Sequence, residues 1–260
     1  MDRFALSLHE AMRTGGIIAA LQVGAGCAFG GFAEMVKQGD VYDAQFKPEA
    51  ALKYYAPAEK LEPDNAALLV KIARQHVYLM AEQSSKSARL QSGRKAIAYA
   101  ERAVKLAPNK CESHLALAIC LGKLTPLVGN REGVEASRRI KTAAERAVQL
   151  DPKNDYAWHL LGRWHQELAQ ISGVTRGVAL VIYGGLPAAS YDEAVECFEK
   201  AASLNPHRLI HVIELGRTYA LMGRKTEASR LLKKGLAMPD TDKDDPETKQ
   251  RGRATLARLD

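Results

Sequence analysis

The chain has 260 residues, of which 47% are hydrophobic and 26% are charged, as is ordinary for a soluble globular protein with a substantial core. Its net charge of +7 permits an acidic protein tail, a nucleic acid or an anionic membrane surface as partner. A mildly basic solvated surface explains the same charge without a partner. The spacing of Cys27, Cys111, Cys120 and Cys197 matches neither a metal site nor a disulfide framework, so we expect small buried residues.

Residues 1–33 differ from the rest of the chain. No charged residue lies between Gly15 and Ala33, and the apolar run there is followed by several glycines. One interpretation is a secretory signal peptide, with Arg13 as the positive flank and cleavage after Ala33. The alternatives are a glycine-rich helix that caps the following domain, or a membrane anchor, for which the run has many glycines. Export to the periplasm or to a membrane follows from the first interpretation, and a cytoplasmic location follows if residues 1–33 are structural.

From residue 34 to residue 260, segments with helical spacing recur in pairs. In one of them Trp158, Leu161, Gly162 and His165 fall at i, i+3, i+4 and i+7, which is one face of a helix. Each pair ends at a proline, which cannot continue a helix interior. The closing prolines are Pro63, Pro108, Pro152, Pro206 and Pro239. The pattern is typical of tetratricopeptide repeats and predicts an all-α, right-handed solenoid of about five helix pairs.

The spacing of these prolines indicates lengthened repeats. An ordinary repeat has about 34 residues, and the first three intervals between the closing prolines are longer. We assign the extra residues to insertions at 82–94, 124–135 and 173–191, the second of them a loop. Small residues at Gly162, Ala194 and Ala201 predict close contact between the helices of the fourth pair. The charged residues 243–259 suit a terminal helix that covers the last apolar face.

The insertion at 173–191 is the longest and the most apolar. Its residues 173–187 contain seven large apolar side chains and one charge, Arg176. Because burying each such side chain stabilises a protein by ~1.5–3 kcal/mol, we expect the segment to fold against the array or a ligand. We predict a short helix inside the concave surface, ended by Gly184 and Gly185. It would leave a partly apolar pocket near Trp158, Trp164 and His165.

The sequence contains no catalytic motif that we can identify. It has no His-Glu-x-x-His, no nucleophile elbow and no phosphate-binding glycine loop, so we predict no enzyme, no metal and no cofactor. Arg163 is predicted to form a buried ion pair with Glu167 or Glu193, because a lone buried charge is very costly. The alternative is an arginine presented to an anionic ligand, such as a phosphate or carboxylate.

Three stretches of the chain resemble the regulator of microtubule dynamics family. They are Leu-Gly-Arg-Trp at residues 161–164, the segment at 188–201, and Leu-Ala-Met-Pro at 236–239 followed by acidic residues. The resemblance covers roughly residues 40–260 and implies a tetratricopeptide-like domain with lengthened repeats and a non-enzymatic role. Eukaryotic members are associated with microtubules and spindle poles, and some with mitochondria and lipid binding at organelle contacts.

The predicted function is a scaffold that binds an extended or acidic segment of a protein partner in the concave groove. Tubulin or microtubules would be the partner in a eukaryote, and we expect no specific nucleic acid. The alternative is binding or transfer of a lipid or other apolar ligand in the cavity of the array. Insertion residues packed as filler would favour the peptide, and residues lining a cavity would favour the lipid. The candidate groove or ligand residues are His76, His114, Trp158, Arg163, Trp164, His165, Val178, Ile182 and Tyr183.

Overall fold

The computed structural model describes residues 30–259, so the predictions made for residues 1–29 lie outside the described part. Within residues 30–259 the chain forms helices and no strand. Five helix pairs follow one another, with one helix inserted in the fourth pair and one after the fifth. In order they are α1 (Phe32–Ala44), α2 (Pro48–Leu61), α3 (Ala66–Glu82), α4 (Lys86–Leu106), α5 (Cys111–Leu124), α6 (Asn130–Leu150), α7 (Asp155–Ala169), α8 (Gly173–Tyr183), α9 (Tyr191–Leu204), α10 (Leu209–Leu221), α11 (Lys225–Ala237) and α12 (Asp245–Leu256).

The pairs stack into a solenoid. The two helices of each pair contact each other, and the second helix of a pair contacts the first helix of the next. In addition, the first helices contact one another directly, α3 with α5, α5 with α7 and α7 with α10. First helices that meet their counterparts in this way line the inner, concave side of a curved stack. The predicted all-α array of five helix pairs is confirmed.

Side chains and prolines set the ends of these helices. Asn65, Asn154 and Ser190 each accept a hydrogen bond from a backbone N–H of the first turn of α3, α7 and α9. At the other end, each second helix stops two residues before its closing proline, as α4 does at Leu106 before Pro108. The helix ends predicted from the prolines are therefore confirmed.

Small residues allow the helices within a pair to approach closely. A Cβ atom added at Gly162 would lie 3.0 Å from ring atoms of Phe198 and 3.1 Å from the Cβ of Cys197, both on α9. Ala194 and Ala201 on the same helix are fully buried. The contact predicted for the fourth pair is confirmed.

Two of the predicted insertions lengthen helices. α4 and α6 have 21 residues each, and most of residues 82–94 and all of 130–135 belong to them. The predicted loop at 124–135 is therefore wrong beyond Gly129, since only a 3₁₀ turn (Thr125–Leu127) and two further residues separate α5 from α6. Residues 130–132 and 135 of the predicted loop are exposed and lie on the solvent side of this longer helix.

The third insertion forms the predicted short helix, α8, but not in the predicted place. Gly184 ends it in the left-handed conformation (φ 72°), followed by Gly185 at φ 91°, as expected. However, Val174 is 81% exposed and Val181 86% exposed, and Ala179 is the one buried residue of the helix. The prediction that α8 packs inside the concave surface is wrong.

Two arginines explain the orientation of α8. Arg176 turns inward and donates hydrogen bonds to the carbonyl oxygens of Leu168 and Pro187. Arg138 on α6 donates to the carbonyl oxygens of Tyr183 and Gly185 at 2.6 and 2.8 Å. Because the polar side of α8 is satisfied by these contacts with the array, its aliphatic side faces solvent.

The last helix, α12, covers the end of the array as predicted. It contacts both α10 and α11. Its Gly252 lies against Ile213, since an added Cβ would be 3.1 Å from Ile213 Cγ2. Among the described helices, none combines the length and the apolar character needed to cross a bilayer.

Candidate functional site

The loop between α11 and α12 crosses the inner side of the solenoid. We call residues 239–245 the acidic strap, because they include Asp240, Asp242, Asp244 and Asp245. Six residues of the strap, 239–244, precede the first turn of α12, and residues 242–244 are half-buried. The contacts of the strap define the candidate site, because they show which side chains of the concave face bind acidic groups.

The two acidic side chains at the centre of the strap bind different helices. Asp242 Oδ2 accepts a hydrogen bond from the hydroxyl of Tyr156 on α7 at 2.6 Å and lies 3.6 Å from Nη1 of Arg208, the residue before α10. Asp244 Oδ2 accepts one from Nζ of Lys123 on α5 at 2.6 Å. One short loop is thus held by the first helices of the third and fourth pairs and by the residue that caps the first helix of the fifth.

The lysine between these two aspartates reaches the second pair. Lys243 Nζ donates to Glu82 Oε1 at 2.6 Å and lies 4.6 Å from the ring centroid of Tyr78. Both partners are on α3. Contact with three consecutive first helices and with the residue that caps the fourth requires a place where they converge, which puts the strap across the concave face.

The strap has a turn structure of its own. The carboxylate of Asp245 accepts hydrogen bonds from the backbone N–H groups of Thr241 and Asp242 at 2.7 and 2.8 Å. Lys249 on α12 lies 2.6 Å from Asp240. These contacts fix the acidic side chains in a compact turn.

Partial exposure weakens the ion pairs of the strap. The side chains of Asp244 and Lys123 are 38% and 39% exposed, and that of Glu82 is 47% exposed. Ion pairs this accessible to water contribute about 0–1 kcal/mol each to stability. The strap is therefore held by several weak polar contacts.

A buried charge network lies on α7, α10 and α12. Glu214 is fully buried, and its carboxylate binds Arg163 of α7 at 2.7 Å, Arg217 of α10, and Arg251 of α12 at 3.3 Å. Burial raises the pKa of Glu214, but the three arginines outweigh it and lower the pKa to about 2. The network keeps three helices in register.

Arg163 pairs with one of its two predicted partners, Glu167, whose side chain is 52% exposed, and its buried partner is Glu214. Arg163 Nη2 lies 2.6 Å from Glu167 Oε1. Glu193 instead lies 3.1 Å from Nδ1 of His165. Glu214 was missed because it belongs to the next helix pair, where no local spacing connects it to Arg163.

A histidine pair orients Arg208. His211 Nε2 lies 2.9 Å from Asp155 Oδ2, and the Nδ1 atoms of His211 and His159 are 3.0 Å apart. Burial lowers the pKa of both histidines, so we assign neutral rings in which His159 donates to His211 and His211 donates to Asp155. Asp155 Oδ2 also lies 2.8 Å from Arg208 Nε, which positions that guanidinium beside Asp242.

The other candidate residues on the first helices lie away from the strap. His76 stacks on Tyr99 of α4 with ring centroids 5.6 Å apart, and burial with nearby Lys95 lowers its pKa to about 4. His114 Nε2 lies 2.8 Å from the carbonyl oxygen of Pro108. These positions face the second helix of the pair or the preceding turn.

The two tryptophans, like His76 and His114, lie away from the strap. Trp158 donates from Nε1 to the Pro152 carbonyl oxygen at 2.9 Å. Trp164 is 4% exposed and donates to the Ser137 carbonyl oxygen of α6 at 2.9 Å. With His165 beside Glu193 of α9, these side chains pack against second helices, so the predicted pocket among Trp158, Trp164 and His165 does not open onto the groove.

The candidates on α8 neither fill the groove nor line a cavity. Val178 is 51% and Ile182 is 61% exposed, and Tyr183 is half-buried. Of all the candidates on the first helices, Arg163 is the one that reaches the buried charge network. Four residues that bind the strap were not among the candidates predicted from sequence: Tyr78, Lys123, Tyr156 and Arg208. They could have been suspected because they are polar or aromatic side chains on or next to first helices, at positions outside the repeat face used for packing.

The described residues offer little for metal chemistry. No group of three or more His, Cys, Asp or Glu side chains within residues 30–259 is arranged to hold a metal ion. Cys111, Cys120 and Cys197 are free and buried, and burial raises the pKa of each thiol. Cys27 lies outside the described part.

Comparison with known proteins identifies the family. The model of the family described as "Regulator of microtubule dynamics protein 1-3" matches residues 35–260. The chain belongs to this family. Regulator of microtubule dynamics protein 1 of Bos taurus is 31% identical over 155 residues, covering 58% of this chain and 48% of the relative. The Pongo abelii protein 1 is 28% identical over 191 residues, covering 71% and 59%.

The matches cover only part of each relative. This regulator of microtubule dynamics family member spans about half the length of the curated relatives it matches. Its family and its repeat fold together support a protein-interaction scaffold. The resemblance drawn from residues 161–164, 188–201 and 236–239 is confirmed at the level of the family.

Solved structures agree on the fold of this regulator-family chain. A thermophilic TPR protein of Thermus thermophilus aligns with a TM-score of 0.65 at 18% identity, covering 87% of this chain and 99% of that one. PilW, a type IV pilus biogenesis factor, aligns with a TM-score of 0.59 at 15% identity, covering 88% of each. At these identities the likeness concerns the fold alone.

Proposed function

We propose that this protein is a non-enzymatic scaffold that binds an acidic segment of a partner protein on its concave face. The acidic strap supports this proposal, because its carboxylates are bound on the concave face by Lys123, Tyr156 and Arg208. A surface that holds acidic side chains of its own chain has the donors and positive charge that a partner's acidic side chains require.

The arrangement of the donors supports recognition of a segment over recognition of a single charge. Lys123, Tyr156 and Arg208 belong to three successive helix pairs, so their spacing is fixed by the stacking of the array. Arg208 is further held by Asp155 and the histidine pair. Donors fixed on rigid elements favour a partner whose acidic groups match their spacing. The net charge of +7 would speed the encounter with such a partner.

The names of the matched relatives suggest a specific partner. They are regulators of microtubule dynamics, and we propose tubulin or microtubules as the acidic partner if the protein is eukaryotic. Co-sedimentation of the full chain with microtubules, at low and high salt, tests this finer proposal. Absence from the microtubule pellet at low salt would contradict it and leave the scaffold without that partner.

Binding of an acidic peptide tests the scaffold itself. We expect a fluorescent decaglutamate peptide to bind the full chain and a decaglutamine peptide to fail, with affinity falling as salt screens the charges. Lys123→Ala should weaken binding severalfold, whereas Lys233→Ala, on the exposed side of α11, should not. Equal effects of the two substitutions would place the acidic peptide elsewhere on the surface.

A second candidate function is binding of a lipid or another apolar ligand, which the exposure of α8 favours. Val174, Val178, Val181 and Ile182 form an aliphatic surface that lacks a partner in the array. Such a surface is unusual in a monomeric soluble protein and is typical of contact with an apolar phase or partner.

Vesicle flotation tests this second candidate. We expect co-flotation with vesicles of phosphatidylcholine and phosphatidylserine, lost in Val178→Asp/Val181→Asp. The matched control is Gln91→Asp/Ala98→Asp, which adds the same charge at exposed positions of α4. Flotation unchanged by the α8 substitutions, or lost equally with the control, would remove the lipid interpretation.

A further inference from the structure

We propose that the acidic strap is a resident ligand of the concave face, that its Asp-Lys-Asp triplet at 242–244 defines the motif of the partner segment, and that the partner binds by displacing the strap. This inference rests on the proposed function and adds the partner's charge pattern and a built-in competitor. The triplet is the part of the strap whose three successive side chains each bind a different part of the concave face.

The concave face offers three adjacent subsites to this triplet. The first accepts an acid through Tyr156 and Arg208, with 2.6 Å between the tyrosine hydroxyl and Asp242. The second accepts a cation through Glu82 and the ring of Tyr78, which Lys243 occupies.

The third subsite accepts another acid through Lys123, 2.6 Å from Asp244. Reversal of the charges, to Lys-Asp-Lys, would oppose like charges at all three subsites. A partner that carries acid, base and acid in succession therefore satisfies the face better than a uniformly acidic one.

The strap can leave its subsites without unfolding the helices that flank it. The side chains at 239–241 are exposed, and the half-buried triplet is held by hydrogen bonds, ion pairs and the ring of Tyr78. The buried residue of the strap, Asp245, belongs to the first turn of α12 and is not part of the triplet. The apolar anchors of this region lie outside the strap, where Leu232 of α11 is fully buried against Leu209 and Ile213 of α10. Displacement thus exchanges one set of polar contacts for another, while the apolar contacts of α11 remain.

A tethered competitor has a measurable effect on affinity. If the strap occupies the face in about 90% of molecules, the apparent Kd of a free ligand rises about tenfold over that of an open face. Because the strap is connected to the array through only a few residues, its local concentration is high, in the millimolar range of short linkers. The competition should therefore be seen at any practical protein concentration.

The experiment uses the full chain and a labelled peptide with the sequence of residues 238–247. Fluorescence anisotropy compares three proteins: the unmodified chain, the strap variant Asp242→Asn/Asp244→Asn, and the control Asp192→Asn/Glu196→Gln. The control makes the same change in net charge at exposed positions of α9. A second peptide carries asparagine in place of both triplet aspartates.

We expect the native peptide to bind the strap variant at least about tenfold more tightly than the unmodified chain or the control. The asparagine peptide should bind all three weakly. Adding Lys123→Ala to the strap variant should reverse most of the gain.

Several outcomes would overturn the inference. Equal affinity of the native peptide for the three proteins would mean that the strap does not compete, although an acidic peptide still binds. Equal affinity of the two peptides for the strap variant would mean that the triplet is not the motif. If decaglutamate binds and the native peptide does not, this inference fails and the proposed function stands. If neither peptide binds the unmodified chain or either variant, the proposed function fails as well.

Discussion

Glu214 illustrates how much one buried charge can control in this protein. Its carboxylate has no exposure to solvent and is balanced by arginines from three helices, Arg163, Arg217 and Arg251. Removing one partner from such a group leaves the remaining charges uncompensated in a low-dielectric environment. Glu214 is therefore expected to contribute strongly to the stability of the contact among α7, α10 and α12.

Glu214→Gln is expected to lower the free energy of unfolding by about 3–5 kcal/mol at pH 7. The folded-state pKa of Glu214 is about 2, below its ordinary value of 4.5, so its charge stabilises the fold above pH 4.5. That contribution, about 3 kcal/mol, is lost as the pH falls from 4.5 to 2. Urea unfolding from pH 7 to pH 3 should show a shallower decline for the variant. Glu196→Gln, on the exposed side of α9, is the control; a similar profile for both variants would contradict the assigned role.

Residue chemistry was only partly predictable from sequence. The pairing of Arg163 with Glu167 followed from their i, i+4 spacing on one helix. Glu214 and Arg251 belong to other helices, and no spacing along the chain reports the network that they form with Arg163. For the same reason Tyr156 and Arg208 were missed, since their roles depend on what the strap places opposite them.

At the scale of the helices, two glycines provide a matched comparison. Gly162 of α7 lies against Phe198 and Cys197, whereas an added Cβ at Gly122 of α5 would meet nothing within 4 Å. Both glycines lie inside helices, so replacing either by a better helix-forming residue favours its helix. The two positions differ in the space available for a new side chain.

Gly162→Leu should destabilise the protein by ~1–3 kcal/mol, because the new side chain overpacks the contact between α7 and α9. Gly122→Ala should stabilise it by roughly 0.5–1 kcal/mol through helix propensity. Thermal and urea unfolding of both variants provide the measurement. An unchanged midpoint for Gly162→Leu would contradict the close approach of the two helices.

Helix existence and helix ends were well predicted, and the placement of α8 was not. Helix ends follow from prolines and capping residues, which act locally. The apolar composition of a segment indicates that its burial would stabilise the protein. It does not indicate which surface of the array the segment could pack against. The hydrogen bonds of Arg176 and Arg138 with backbone carbonyls decide the orientation of α8. They depend on where the end of α7 and the side chain of Arg138 on α6 lie in space.

At the scale of the whole molecule, the strap adds contacts that a repeat array lacks. In a solenoid each repeat contacts its neighbours, and stability is close to a sum of local terms. Lys243 with Glu82 and Asp244 with Lys123 connect residues separated by 161 and 121 positions in the chain. These contacts join the end of the fifth pair to the second and third pairs.

A double-mutant cycle measures this connection. Lys123→Ala, Asp244→Ala and the double variant should give a coupling energy of about 0.2–1 kcal/mol in urea unfolding, as expected for a partly exposed ion pair. The coupling should diminish in high salt. A parallel cycle on Arg224 and Glu227, an exposed pair within α11 and its N-terminal flank, provides a local reference. Zero coupling between Lys123 and Asp244 at low salt would contradict the strap contact.

The global architecture was predictable because its signal repeats. Five prolines and their preceding helical faces indicate the same unit five times, so single errors in position do not change the fold. The strap occurs once, and nothing in the periodicity connects residue 244 to residue 123. Its acidic residues were used only as part of the family resemblance and of the charged terminal segment 243–259.

The position of the strap after all five helix pairs has a consequence for biosynthesis. Domains generally fold from the N-terminus as the ribosome releases them, at about 5–20 residues per second. The second, third and fourth pairs can therefore stack before residues 239–245 have been made. During that interval Lys123, Tyr156 and Tyr78 face solvent without the aspartates and lysine that later cover them. A nascent chain thus exposes these side chains of the concave face until residues 239–245 have emerged and can cover them.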